Sequence, residues 1–222
     1  MDAVQRNLEE YKNMQSIKCK ICRRLQRKMF LKGARCFSPK CAMIRRPYAP
    51  GQAKKRGSSL SEYGREVAEI QKMKKWYGLR ETQFKNYVVS VLDKMASSKE
   101  RADEKLVRLL ELRLDNTVFR LGFGDSHAQA RKITSHGHIM VNGKKVNIPS
   151  FQLKKGDVIT IVPKSKDKKY FQDLAIKIKK YQAPSWLKLD TKNLSGEIIS
   201  LPTSQEVALP IKLSSIFEHY SK

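Results

Sequence analysis

RLDNTVFRLGFGDSHAQARKITSHGHIMVNGKKVNIPSFQLKKGDVITIV, residues 113–162, is the stretch in which the hydrophobic period changes from helical to extended. A helix is predicted over residues 112–123, with Leu114, Val118, Phe119 and Leu121 on its apolar face and Gly122 at its end. Ser126 and Gln129 stand at the S-x-x-Q spacing of a capping box. A second helix therefore runs through Ala130 and Ile133 and stops at the glycine signal His136-Gly137. Ile139-Met140-Val141, then Asn142-Gly143, then Lys144-Lys145-Val146 read as a hairpin closed by the strongest two-residue turn signal. Gly156-Asp157 leads into a last apolar run, Val158–Val162. Helix, helix, hairpin and strand make a small α/β module. Its second helix starts among Ser126, His127, Arg131 and Lys132, where free backbone N–H groups and cations together favour a phosphate.

Upstream the period is helical. SEYGREVAEIQKMKKWYG, residues 61–78, places Val67, Ile70, Met73, Trp76 and Tyr77 at three- and four-residue spacing between Ser61 and the stop at Gly78. ETQFKNYVVSVLDKMA, residues 81–96, puts Phe84, Val88, Val91 and Leu92 on one side. A third helix from about Asp103 carries Leu106, Leu109, Leu110 and Leu114. Such stripes are core before they are stacking platforms, so residues 61–111 are expected to form a small helical domain. After Lys164 a helical pattern continues through Tyr170, Leu174 and Ile178, and the remainder reads as irregular.

The chain has 222 residues with 46 Lys plus Arg against 21 Asp plus Glu, a net charge of +25. That excess points to a polyanionic partner. No run approaches the roughly 20 apolar residues of a membrane span, and MDAVQRNLEE resembles no apolar leader, which predicts a cytoplasmic protein with no membrane partner. The charge is uneven: residues 1–60 hold 16 basic and 3 acidic residues, net +13, just over half of the total. On charge alone this segment reads equally well as a solvated tail.

The cysteines argue for order. Cys19, Cys22, Cys36 and Cys41 are spaced C-x2-C-x13-C-x4-C, two close pairs able to converge on one tetrahedral ion. A disulfide pair is the alternative, disfavoured in a reducing compartment. Zinc is the expected cofactor, an iron–sulfur cluster the other possibility, and a closed four-thiolate shell would act as a staple rather than a catalyst. A short segment this basic lacks the apolar area to fold alone. Lys18, Lys20, Arg23, Arg24, Arg27, Lys28, Lys32 and Arg35 would then be presented on a fixed scaffold. IRRPYAPGQAKKRG, residues 44–57, follows as a Pro/Gly-punctuated link whose Arg45, Arg46, Tyr48, Lys54, Lys55 and Arg56 can track a phosphate backbone, although a plain linker has the same composition.

RLDNTVFRLGF and AQARKITSHGHIMVNGKKVNIPSFQLKKGDVI strongly resemble the RNA-binding module of the small-subunit ribosomal protein four family. CKICRR…FLKGARCFSPKCAMIRRPYAPGQ is similar to the zinc-type N-terminus of its bacterial members, LSEYGREVAEIQKMKKWYGLRETQFKNY to its helical domain, and APSWLKLD…GEIISLPTSQE with the terminal YSK to its tail. The resemblance runs from Cys19 to Lys222. After an N-terminal arm (1–18) outside the resemblance, it implies an α+β fold: a four-cysteine metal-stapled N-terminal segment (19–43), a basic linker (44–60), a small helical domain (61–111), an inserted helix-helix-β RNA-binding module (112–164) and a C-terminal segment returning to the helical domain (165–222). It implies a binder of 16S ribosomal RNA that acts early in assembly, beside ribosomal protein five and where messenger RNA enters the subunit, with an influence on translational accuracy. Its own messenger is a further candidate partner. On the matching positions it implies RNA contacts by Arg46 and Tyr48 in the link and by Arg113, Arg120, Ser126, Arg131, Lys132, His136, Asn142 and Lys144 in the module, with Lys145 beside them.

Three departures qualify it. Residues 1–18 do not match the family's usual short start and read as an added helix or a disordered arm. The family's Ser-Arg or Thr-Arg at the module's helix start is here Ser126-His127, which suggests a weaker, pH-sensitive phosphate contact. After Pro50-Gly51-Gln52 the usual His-Gly is replaced by Ala53-Lys54-Lys55-Arg56 and then Gly57-Ser58-Ser59, which weakens an expectation of messenger unwinding. An RNA-modifying enzyme using the module as a handle would need a catalytic domain. About 60 residues remain for one, with no nucleotide loop and four histidines, at 127, 136, 138 and 219, that lack ligand spacing. A zinc-dependent DNA regulator would need a recognition helix and usually a dimer. Neither fits, and no catalytic residue is expected.

Overall fold

A computed structural model describes residues 18–52, 60–93, 101–179, 181–207 and 213–221, and the chain divides into two units, 1–78 and 79–222. The boundary falls inside the expected helical domain of residues 61–111. The expected arm lies outside the described residues except for Lys18, and so do Lys54, Lys55 and Arg56.

In the first unit, residues 18–24 are helical (α1), Gly33–Cys36 form one 3-10 turn, and Ala42–Arg45 form a short helix α2. The long helix α3, Glu62–Tyr77, has the ends its sequence predicts. The Ser61 hydroxyl accepts from the Gly64 N–H at 3.2 Å, and Gly78 closes the helix at φ +64°, a left-handed conformation that glycine adopts at little cost. Ile70, Met73 and Tyr77 are buried, while Val67 and Trp76 are half-buried.

The second unit starts with α4, Glu81–Asp93, and α5, Ala102–Glu111, which bury Phe84, Val88, Val91, Leu106, Val107 and Leu110. The next helix is shorter than predicted: α6 spans Leu114–Arg120 rather than residues 112–123. Its start is displaced by backbone pairing. Arg113 is extended and bridges Gln152, Leu114 N–H donates to the Phe151 carbonyl at 2.9 Å, and Leu153 N–H donates to the Leu112 carbonyl at 2.9 Å. Helix α7, His127–Ser135, starts at Ser126 without the full capping box. Ser126 makes no side-chain cap, and Gln129 Oε1 accepts from the Asp125 N–H at 3.2 Å.

The hairpin forms as read. Strands β1, Ile139–Val141, and β2, Lys144–Lys145, flank Asn142 and Gly143, both at positive φ (+50° and +78°), which matches the twist of the paired strands. Strand β3, Val158–Ile161, pairs antiparallel with β1. Then the structure departs from the expected tail. After α8, Pro163–Lys166, and α9, Lys169–Ile178, residues read as irregular form strands β4, Leu187–Asp190, and β5, Ser195–Ile198. They complete a five-stranded antiparallel sheet in the order β2-β1-β3-β5-β4.

One core joins these elements. Leu114, Val118 and Leu121 of α6 and the turn after it, Ala130 and Ile133 of α7, and Phe171, Leu174 and Ile178 of α9 pack with Ile139, Val141, Ile159, Ile161 and Ile198 of the sheet and with Trp186. Residues 165–198 therefore belong to the module's own core. The last helix, α10 (Ser214–Ser221), reaches α4, where Tyr220 donates its hydroxyl to Glu81 at 2.6 Å and its ring meets Phe84.

Gly196 explains why β5 seats so close. A Cβ there would run into the Leu121 side chain, itself fully buried. Gly196→Val should cost about 1–3 kcal/mol by overpacking, read as a lower urea midpoint. Glu197→Ala, on the exposed face of the same strand, should stay within about 0.5 kcal/mol of wild type. Equal stability of the two variants would mean that β5 is not seated on that core.

Candidate nucleic-acid interface

The arginines of the module divide by burial. Arg113 is 1% exposed, with Nε and Nη2 donating to the two carboxylate oxygens of Asp115 at 3.1 and 2.9 Å and Nη1 donating to the Tyr87 hydroxyl at 2.8 Å. Arg120 donates from Nε and Nη2 to the two oxygens of the fully buried Glu111, at 2.9 and 2.8 Å. Both are bidentate pairs whose geometry favours arginine over lysine. The sequence expectation that they contact RNA is corrected for Arg113, which is enclosed by the fold, and Arg120 is tied to the same junction. Ser126 is buried as well.

His127 is corrected too. The residue is half-buried with its ring turned inward, 3.9 Å from the Phe119 ring centroid. Burial, reinforced by the nearby charge of Arg120, lowers its pKa from 6.5 to about 3. The imidazole is neutral across the physiological range, so it brings no positive charge to the expected pH-sensitive phosphate contact.

What remains outside forms one basic ridge. Lys132 and His136 on α7 and at its end are exposed, Arg131 is half-buried, and Asn142, Lys144 and Lys145 stand exposed on the hairpin. The chain of Lys145 lies across Gly137, where a Cβ would collide with it, so the hairpin is tied to the end of α7. His136 and His138 rings are 6.2 Å apart, and His138 Nδ1 is 2.9 Å from the Ser165 hydroxyl. Burial lowers the His138 pKa, and the charges of Lys168, His136 and Lys145 push the same way. Exposed Lys168 lies beside these rings, since its N–H donates at 3.2 Å to the carbonyl of Ser165, whose hydroxyl meets His138. Asn142 is occupied in holding the hairpin: its amide nitrogen donates to Asp157 and its oxygen accepts from the Val158 N–H, each at 2.9 Å. Between Asp125 and Asp157 there is no acidic residue and there are six basic ones. Lys168 went unread because it sits in PKSKDKK, residues 163–169, a charge run assigned to the tail. Exposed Lys154 and Lys155, in the turn before β3, extend the same polarity.

In the first unit, residues 18–52 contain eleven basic residues and no acid. Arg24, Arg45 and Arg46 are exposed. Arg23 instead ties the link to α1: Nε donates to the Tyr48 carbonyl at 2.9 Å, and the guanidinium lies 5.0 Å from the centre of the Tyr48 ring. All four cysteines are free thiols and line one small pocket with Leu31, Lys32 and Met43. Burial raises the Cys22 and Cys36 thiol pKa values, and the neighbouring cysteines add to it. Among the described residues no three or more His, Cys, Asp or Glu side chains are assembled as a metal-ligand group.

A family model described as the S4 domain matches residues 112–159, and one described as the ribosomal protein S4/S9 N-terminal domain matches residues 13–111. Small ribosomal subunit protein uS4 of Caldicellulosiruptor saccharolyticus is 48% identical over 204 residues, covering 92% of this chain and 96% of that protein. The chain belongs to the uS4 family. Protein uS4A of Alkaliphilus oremlandii (45% identical) and uS4 of Kosmotoga olearia (42% identical) cover the same shares, 92% and 96%. A uS4 protein is a structural component of the small ribosomal subunit and not an enzyme. No helix among the described residues is long and apolar enough to cross a membrane.

The buried His127 makes a pH prediction for this uS4 chain. The unfolded state accepts a proton on this residue below about pH 6.5 and the folded state does not until about 3. Its contribution to stability is complete above pH 6.5 and is lost as pH falls from there toward 3. His127→Phe should therefore lose less stability than wild type between pH 7.5 and pH 5, compared by urea unfolding. Parallel losses would place the acid sensitivity elsewhere.

Proposed function

We propose that this uS4 chain binds 16S ribosomal RNA directly, by charge and shape, and helps to nucleate small-subunit assembly. The observation that carries the reading is the basic ridge of α7 and the β1–β2 hairpin, built from residues 126–156, which hold no acid, inside the segment that matches the S4 domain. RNA duplexes hide their base edges in a narrow groove, so phosphates and shape are the features such a ridge meets. The ridge and the acid-free residues 18–52 would each grip backbone. Ribosomal protein five, messenger RNA near the channel by which it enters, and the protein's own messenger are the further partners proposed, with an influence on translational accuracy.

Affinity for a 16S RNA transcript should fall steeply with salt, by about 0.7–0.9 in log slope per phosphate contacted. Lys144→Ala and Lys132→Ala should each lower that slope by about 1, uniformly across RNA sequences. Arg113→Ala should instead cost about 3–5 kcal/mol of stability by stranding Asp115. At a temperature where that variant is folded, its salt slope should match wild type. A flat salt dependence of the wild-type protein would sink the model.

For the cysteines, the reading is a structural zinc ion, with an iron–sulfur cluster as the alternative. The donor set supports it: Cys19, Cys22, Cys36 and Cys41 line one pocket in a segment rich in cations, and binding as thiolates offsets that charge. The ion would supply folding energy and no chemistry. Cys22→Ala or Cys36→Ala should lose the metal by elemental analysis and become protease-sensitive between residues 19 and 43. Wild-type protein that holds neither zinc nor iron and still resists cleavage there would refute the staple.

A further inference from the structure

Phe30 sits in the segment between the two cysteine pairs and Phe37 directly after Cys36, inside the second pair, and neither is needed by a core. Their rings are stacked at 4.9 Å with an interplanar angle of 26°, yet Phe30 is 37% and Phe37 74% exposed. Phe30 also holds a left-handed backbone conformation, φ +48°, which is a costly outlier for a bulky side chain. Phe37 is set by the turn before it, as its N–H donates to the Ala34 carbonyl at 3.2 Å. With Phe30 against one face of the Phe37 ring, the other face is open to solvent. Arg27, Lys28, Arg35 and Lys40 are exposed nearby in the chain, in a segment with no acidic residue.

We propose that the Phe30–Phe37 pair is a stacking platform for one unpaired nucleobase of the bound RNA. This rests on the reading of the chain as an RNA binder and adds to it a contact that charge and shape do not provide. An exposed aromatic face offers a base a stacking surface of little sequence preference, and the flanking cations suit the phosphates on either side of it. A protein partner is disfavoured by the charge, because eleven basic residues in residues 18–52 have no acid among them to temper their field. The strained Phe30 backbone is then a device that holds the first ring under the second, so that the platform is already assembled when RNA arrives.

The test uses the full chain and a 16S RNA transcript from Caldicellulosiruptor saccharolyticus, with affinity measured by filter binding over a salt series. Phe37→Leu keeps apolar bulk and removes the π face, while Phe37→Tyr keeps the face. The leucine variant should bind about ten-fold more weakly with an unchanged salt slope, and the tyrosine variant should bind as wild type. Ultraviolet crosslinking of wild-type protein should join a base to the peptide that contains Phe37. Thermal melts check that each variant is folded, which the exposure of Phe37 favours. Equal affinity of Phe37→Leu and wild type, or an equal loss in the tyrosine variant, overturns the platform and leaves the RNA-binding reading standing. Wild-type protein that fails to bind the transcript overturns both.

Discussion

Glu111 is fully buried, and an ionised carboxylate in that position is tolerable only if every oxygen finds a donor. Asn116 donates to it at 2.6 Å and Arg120 donates twice, so the residue at the end of α5 reaches across the start and end of α6. Its carbonyl is used as well, by Asn116 and by the Thr117 hydroxyl at 3.2 and 3.1 Å. Two residues on, Arg113 makes the mirror arrangement with Asp115 and Tyr87. Removing one partner from such a set strands a charge and costs about 3–5 kcal/mol. These brackets fix the direction in which α6 leaves the helical segment, and the sheet, α7 and α9 are packed against α6.

The consequence for function is a division between arginine and lysine. In the module, planar guanidinium groups are used inside, where two fixed donors meet two carboxylate oxygens. The exposed ridge is mostly lysine: Lys132, Lys144, Lys145, Lys154, Lys155 and Lys168. A hydrated ammonium on a flexible stem is a point charge with little preference for direction, which suits contact with phosphates of a folded RNA better than base readout. Inward-turned His127 and the paired amide of Asn142 keep the ridge in place and lie outside its chemistry.

Local signals were legible wherever the determinant is local. Ser61 and Gly78 bound α3 because a hydroxyl cap and a positive φ need only neighbouring residues. Asn142-Gly143 specified the turn for the same reason. The tail was misread because its determinant is distant. Ser195–Ile198 contains Gly196, which in a sequence suggests a break, whereas here glycine is required by the Leu121 side chain packed against it. The start of α6 moved because residues 112 and 113 pair with a loop some forty residues later.

By itself the sequence determined that the chain is a basic RNA-type protein, that four thiols lie in its most basic quarter, and that a helix-helix-hairpin module follows a helical segment. Charge, spacing and period are properties of the covalent chain and need no partner to be read. Only the tertiary structure decided which cations face outward, because a buried arginine and an exposed one have the same letter until a carboxylate is placed beside one of them. It also decided that residues 187–198 are strands of the module's sheet, since a strand forms only by pairing and β5 is held between β3 and β4.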